Sequence, residues 1–273
     1  MNVVEAHYAQ PGLADRVRQA LHQSGLDPDR LHQSDLEKLD QFHVGGLDAS
    51  NDLARLAGLR ETDRVLDVGS GVGGPSRHLA SSIGCRVTGL DLASEYCQVA
   101  TALALSTGLS HLIDYQQGDA LHTPFEDGTF DVVWTQHAAM NIEDKPGLYR
   151  EIFRVLKPGG RLAIHDIVAG TGAVRFPVPW ASRPDFSFLI SGLDMQNALT
   201  AQGFQNIVSQ DVTETGLEAL RQLAGKPASP GFGLRTLLGP EFPSMLANLI
   251  RNLQTGACRV IEVVVYKPSY TNL

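Results

Sequence analysis

From about residue 63 onward, apolar runs of strand length alternate with amphipathic segments of helix length. That alternation predicts a parallel sheet covered by helices on both faces, an α/β fold. Strands are expected at Arg64–Gly69, Arg86–Leu90, Leu112–Gln116, Phe130–Thr135, Arg161–Ile167, Gln205–Gln210 and Arg259–Lys267, seven in all. Helices near Pro75–Ile83, Ser94–Thr107, Pro146–Leu156 and Leu193–Gln202 join them. A long helical region, about Glu214 to Gln254, separates the last two strands, and Cys258 to Tyr266 is β-branched enough for a central strand. Ahead of the first strand, helical periodicity covers Leu13–Leu21 and Leu47–Ala57, interrupted by the turn-prone Gly25–Arg30 and by Gly45–Gly46. The Gly- and Pro-rich segment Gly170–Pro184 follows directly on a strand end. Ligands bind at such ends in open α/β sheets, so it is expected to form a loop over the active site.

Composition narrows the partners. A chain of 273 residues, 43% hydrophobic and 19% charged, can bury one enlarged core. The formal charge of -8, with no cluster of Lys or Arg, offers no footprint for nucleic acid or an anionic membrane, which leaves a small molecule as the expected partner. Cys85, Cys97 and Cys258 are scattered without CxxC spacing, against both a disulfide framework and a zinc site. Met1 to Gln10 has no basic region leading into an apolar run, and no stretch approaches the roughly 18 apolar residues of a membrane span. A cytoplasmic monomer or homodimer is expected.

The chemistry concentrates in ordered motifs. Val65-Leu66-Asp67-Val68-Gly69-Ser70-Gly71-Val72-Gly73-Gly74 sets a buried strand before a glycine turn and a helix. Such glycines let backbone and ligand approach closely, where a Cβ would collide. Dinucleotide sites begin similarly, but Pro75 stands where their fingerprint wants Gly or Ala. Asp91 closes the second strand about 20 residues beyond the turn, where a carboxylate can accept from both ribose hydroxyls of an adenosine or can cap the next helix. Gln117-Gly118-Asp119-Ala120 ends the third strand; its carboxylate can accept from an adenine amino group while Ala120 leaves its N–H toward the ring. Phe130-Asp131-Val132-Val133-Trp134 and Arg154-Val155-Leu156-Lys157-Pro158-Gly159-Gly160 follow.

Taken in this order, the motifs resemble the class I S-adenosylmethionine-dependent methyltransferases. The resemblance implies a Rossmann-like seven-stranded sheet in the order 3-2-1-4-5-7-6 with strand seven antiparallel. It would span residues 61–273, beneath a helical cap of residues 1–60, with cap insertions near 170–190 and 214–254. S-adenosylmethionine is the implied cofactor, held by Val44, Asp67, Gly69, Ser70, Gly71, Asp91, Leu92, Asp119, Ala120 and Gln136, with Tyr8 as a lid whose π face would suit a sulfonium. The cap, the loop and the 214–254 insertion are expected to enclose the acceptor.

Phe42-His43-Val44-Gly45-Gly46 and Trp134-Thr135-Gln136 resemble the sarcosine/dimethylglycine, phosphoethanolamine, tocopherol and quinone methyltransferase group. Phosphobase enzymes of that group carry D-A-x-x-H after strand four. Here the run is His137-Ala138-Ala139-Met140-Asn141, with His and Asn in place of the Asp and the catalytic His. Methyl transfer needs alignment and exclusion of water, and a base when the acceptor is a hydroxyl or acidic carbon. His137, then the adjacent pair His165 and Asp166, are the candidates, with His43 nearby; no metal is expected. Two other classes stand beside this reading: a binding module without chemistry, and a nicotinamide-dependent oxidoreductase. Intact glycines with Asp91 and Asp119 weigh against the first, and the lack of a Tyr-x-x-x-Lys constellation against the second.

Overall fold

The computed structural model describes residues 12–41, 43–225 and 233–269. Its centre is β1 (Arg64–Val68), β2 (Arg86–Asp91), β3 (Ile113–Gln117), β4 (Phe130–Gln136), β5 (Leu156–Ala169), β6 (Gln205–Asp211) and β7 (Cys258–Tyr266). They form one sheet ordered β3-β2-β1-β4-β5-β7-β6. All neighbours run parallel except β7, antiparallel to both β5 and β6. β4 and β7 read as near-continuous apolar runs because helices cover both of their faces.

The helices are α1 (Leu13–Gln23), α2 (Gln33–Asp40), α3 (Gly46–Leu56), α4 (Gly74–Ile83), α5 (Ser94–Ser106), α6 (Lys145–Val155), α7 (Gly192–Ala201), α8 (Thr213–Gly225), α9 (Leu234–Leu238) and α10 (Phe242–Gln254). Leu148 and Ile152 of α6 and Leu199 of α7 pack on Leu66, Val133 and Ile164. On the other face, Leu53 of α3 and Leu79 of α4 pack on Val65, Val132 and Trp134. Truncating Trp134, which is fully buried, should cost about 3–5 kcal/mol. α1, α2 and α9 share a separate cluster with α5, through Leu13, Leu36, Leu237 and Leu103. A fourth cluster roofs the C-terminal strand ends, joining Met140 and Ile167 to Val178, Trp180, Leu217 and Leu249.

Three local expectations are corrected. Lys157–Gly160, outside the expected strand Arg161–Ile167, belongs to β5: Phe130 pairs Leu156 and Val132 pairs Arg161, and the surplus residues bulge, with Gly159 at φ 78°. α2 escaped the sequence reading because its N-cap is His32; the box closes through the Asp35 carboxylate, which accepts from the His32 N–H at 2.8 Å. The expected long helical region is divided, α9 lying between Gly233 and Gly239 and α10 beginning at Phe242. The three cysteines are buried free thiols, and burial pushes Cys85 up to about 11.

Candidate functional site

A cavity enclosing about 1240 Å³, open mouth included, lies at the C-terminal ends of β1, β2 and β4, where the sheet order reverses direction. Its floor is the glycine turn. Gly69, at φ 77°, has no room for a Cβ, which would sit 2.5 Å from the Ala138 Cβ. Gly71, at φ 54°, faces open space instead, with nothing within 4 Å of where a Cβ would stand. Gly73 carries the Tyr115 hydroxyl against its carbonyl at 3.2 Å. Beneath the turn, Arg77 donates to the Val72 carbonyl and to the Asp40 carboxylate, both at 2.7 Å, and so fastens α2 to the loop.

Asp91 closes β2 beside the turn, and its two oxygens accept from the Gly71 N–H at 2.8 Å and the Ala93 N–H at 2.9 Å. Burial raises its carboxyl, against the pull of those backbone donors. Leu92, Asp119 and Ala120 line the same side, Asp119 accepting from the Leu121 N–H at 2.9 Å. Gln136 ends β4. Its amide oxygen accepts from the Trp134 indole at 3.0 Å and the Ser50 hydroxyl at 3.1 Å, which fixes the flip and leaves Nε2 without a partner. Ser70 Oγ is likewise closed off from solvent and unpartnered. Buried polar atoms are ordinarily paired, so such orphans at a cavity wall mark where a ligand is received.

His137 follows Gln136 as the chain leaves the sheet, at φ 53°, a strained region for a residue with a Cβ. Its backbone N–H donates to the His165 carbonyl at 2.9 Å. The ring is half-buried against the cavity, Nε2 has no partner, and the rings of His165 and His43 lie 5.3 and 6.3 Å away. Burial first, then His165 and His43, hold His137 well below the usual imidazole range, so it is neutral. His43 is pushed down to about 3 by burial; its Nε2 lies 2.7 Å from the Gly46 carbonyl.

Of the expected site residues, Gly69, Ser70, Gly71, Asp91, Leu92, Asp119, Ala120, Gln136 and His137 line the cavity. Tyr8 lies outside the described residues. Asp67, Val44, His165 and Asp166 do not reach the wall. Asp67 sits under the turn, accepting from the Ser76 hydroxyl at 2.6 Å, and burial with Asp91 nearby pushes its carboxyl up to about 7. Val44 turns its side chain into the roof cluster and offers its carbonyl to His165 Nε2 at 2.9 Å. His165 and Asp166 form no dyad, because neighbours on a strand face opposite sides. His165 Nδ1 meets Glu262 of β7 at 3.2 Å. Asp166 is pushed up to about 7 by burial, opposed by Lys145.

The far wall draws Pro179 and Trp180 from the expected loop and Leu238 and Leu249 from the expected 214–254 insertion, but none of its residues was expected individually at the site. Met140, Ile142, Ile167, Pro179, Trp180, Leu238 and Leu249 complete the cavity with Asn141. Asn141 donates to the carbonyls of Trp180 at 2.7 Å and Phe186 at 3.2 Å, and Lys145 Nζ to those of Ile142 and Phe188. These bonds latch the 170–190 segment over the cavity. Lys145 gave a signal, as a lysine inside a capped helix start, but its targets are backbone atoms that no motif encodes.

This strand order, with its one antiparallel strand, is the one that the resemblance to class I methyltransferases implies. Residues 66–164 match the family model described as "Methyltransferase domain". The chain is 30% identical to the chloroplastic tocopherol O-methyltransferase of Arabidopsis thaliana over 212 residues, 68% of this chain and 60% of that one. With phosphoethanolamine N-methyltransferase 3 of the same plant it shares 28% over 187 residues, 66% of this chain and 36% of the relative. The chain thus spans between about a third and three fifths of the length of these curated relatives. Two solved structures share the fold. Haemonchus contortus phosphoethanolamine N-methyltransferase 2 aligns with TM-score 0.74 at 20% identity, over 98% of this chain and 61% of that one. The [4+2]-cyclase SpnF aligns with TM-score 0.70 at 23% identity, over 98% of both.

Proposed function

We propose that this protein binds S-adenosylmethionine in the cavity and transfers its methyl group to a small-molecule acceptor. One observation carries the reading: the glycine turn, Asp91, Asp119 and three unpartnered polar groups, on Ser70, Gln136 and His137, meet in a single cavity. The residues fit the cofactor. Gly69 and Gly71 would let its amino-acid portion approach the backbone, Asp91 would take the ribose hydroxyls, and Asp119 with Ala120 would take the adenine. When bound, it supplies an electrophilic methyl group on a sulfonium sulfur. The chain's own work is then to align the acceptor, which falls to the latched 170–190 segment and the roof cluster, and to keep water out. His137, neutral and unpartnered, would receive any proton the acceptor gives up. His165, behind it, would buttress its ring, and Asp166 would hold the latch through Lys145.

No helix among the described residues is long and apolar enough to cross a membrane; a cytoplasmic setting is part of this proposal, as is an acceptor that is neither nucleic acid nor membrane.

Calorimetry with S-adenosylmethionine against NAD tests the reading. Binding of the former alone, weakened about 10- to 150-fold in Asp91→Ala, is expected from the loss of charge-assisted hydrogen bonds of about 1.5–3 kcal/mol. A preference for NAD, or no binding, would overturn it. Transfer of label from methyl-tritiated S-adenosylmethionine into an acceptor pool separates a methyltransferase from a fold relative that, like the cyclase, is named for other chemistry.

A further inference from the structure

Resting on that reading, we propose that the acceptor is an uncharged, largely apolar molecule presenting one acidic hydroxyl, of phenol or enol type, to His137. The acceptor end of the cavity is walled by Met140, Ile142, Ile167, Pro179, Trp180 and Leu249. The charged residues lining the cavity, among those described, are Asp40, Asp91 and Asp119, all acids, and no lysine or arginine joins them. The cations just behind the wall are already committed. Arg77 is locked to Asp40 at 2.7 Å with both side chains fully buried, and the Lys145 ammonium is spent on the Ile142 and Phe188 carbonyls. A phosphate or carboxylate on the acceptor would lose its water there and gain no cation, a penalty of several kcal/mol per ion.

Of the polar side chains at this end, Asn141 is bonded to the Trp180 and Phe186 carbonyls and His43 lies against the Gly46 carbonyl, which leaves His137. His137 makes no side-chain hydrogen bond among the described residues, and its Nε2 is shut off from solvent. The titratable groups packed around it are His165 and His43, with Glu262 beyond His165. None of them hydrogen-bonds its ring. A neutral imidazole has one N–H and one lone pair, and the lone pair calls for a donor. A hydroxyl supplies it; a carbon–carbon double bond does not. The low basicity of this imidazole is no obstacle, because an oxygen gaining a methyl group becomes strongly acidic as the bond forms. In the balanced step the acceptor's O–CH3 bond forms, the S–CH3 bond of the sulfonium donor breaks with its electron pair left on sulfur, and the hydroxyl proton passes to His137 and on to solvent.

The two tryptophans allow a test that does not depend on turnover, since Trp134 is fully buried in the core and Trp180 lines the cavity. With S-adenosylhomocysteine present, para-heptylphenol, its methyl ether para-heptylanisole, phosphoethanolamine and sarcosine are titrated while tryptophan emission is followed. The phenol should change the emission of the native protein but not of Trp180→Phe, and should bind on the order of tenfold tighter than the ether, the worth of one hydrogen bond to a buried acceptor. His137→Ala should erase that difference. Phosphoethanolamine and sarcosine should give no response. Equal affinity for phenol and ether in the native protein, or a response to either charged amine, overturns the proposal. Calorimetry with S-adenosylhomocysteine keeps the two readings apart: a protein that binds it but not the phenol refutes the acceptor class alone, and one that binds the phenol but not it refutes the cofactor reading.

Discussion

Arg77→Met removes the cation from a pair that is fully buried on both sides and that ties α2 to the glycine turn. Two groups are orphaned. The Asp40 carboxylate is left in the interior without its cation, keeping the Gln41 amide at 3.1 Å, which costs about 3–5 kcal/mol, and the Val72 carbonyl loses its donor, about 1 kcal/mol more. Against a whole-domain stability of about 5–15 kcal/mol that is a severe loss, and with a urea slope near 3 kcal/mol per molar it moves the midpoint down by about 1.3–2 M. The loss should depend on pH. Burial holds the Asp40 carboxyl above its ordinary range even with Arg77 beside it, and removing the cation moves it further up. A carboxyl raised in the folded state binds its proton more tightly there than in the unfolded chain. The penalty is therefore smallest in acid and grows as pH rises toward the folded value, by about 1.4 kcal/mol for each additional pKa unit. Urea melts at pH 5 and pH 8 read this directly. The double variant Asp40→Leu with Arg77→Met carries no buried charge and should recover most of the loss. If Arg77→Met costs under about 1 kcal/mol, or costs the same at both pH values, or the double variant is as weak as the summed singles, the pair does not hold α2 as argued.

The two glycines of the turn should separate structure from binding. Gly69→Ala forces a Cβ to 2.5 Å from the Ala138 Cβ at a φ of 77° and should cost about 1–3 kcal/mol in thermal or urea melts, while Gly71→Ala, at a φ of 54° but with no neighbour near its Cβ, should cost only the backbone strain of about 1 kcal/mol, retain the circular dichroism of the fold and weaken S-adenosylmethionine binding by calorimetry. His43, pushed down to about 3 by burial, binds no proton when folded through the window in which the unfolded chain takes one, so stability should fall as pH drops below about 6.5, and His43→Gln should flatten that acid limb in pH-dependent melts. Asn141→Ala removes the amide that donates to the Trp180 and Phe186 carbonyls and should speed amide exchange across 180–188 by roughly ten- to a hundredfold, while exchange in β4 and β5 stays unchanged.

The cofactor half of the cavity was legible residue by residue and the acceptor half only as segments, the 170–184 loop and the 214–254 insertion, because they are built from different materials. The first is made of local features: a strand, a glycine turn and an acid at the next strand's end lie in continuous stretches, and the backbone itself forms the wall, so residue order alone places Gly69, Gly71, Asp91 and Asp119. Asp67 lies in the same motif yet faces away, since its place on β1 points it at Ser76 under the turn. The acceptor half is assembled from segments far apart in sequence. Asn141 reaches the Trp180 carbonyl 39 positions away, Lys145 the Phe188 carbonyl 43 away, and His165 meets Glu262 97 away. Whether His165 faces the cavity depended on the β5–β7 pairing that sets Glu262 opposite it, and the antiparallel insertion of β7 leaves no local trace. His137 could be placed because it directly follows the last residue of β4, but not oriented. There the alternation of the strand has ended, and the left-handed backbone is imposed from outside, by the His165 carbonyl on its N–H and by the closeness of Ala138 to Gly69. A conformation that costs energy persists only where its surroundings over-determine it, and here those surroundings leave the imidazole against the cavity with no hydrogen-bond partner of its own.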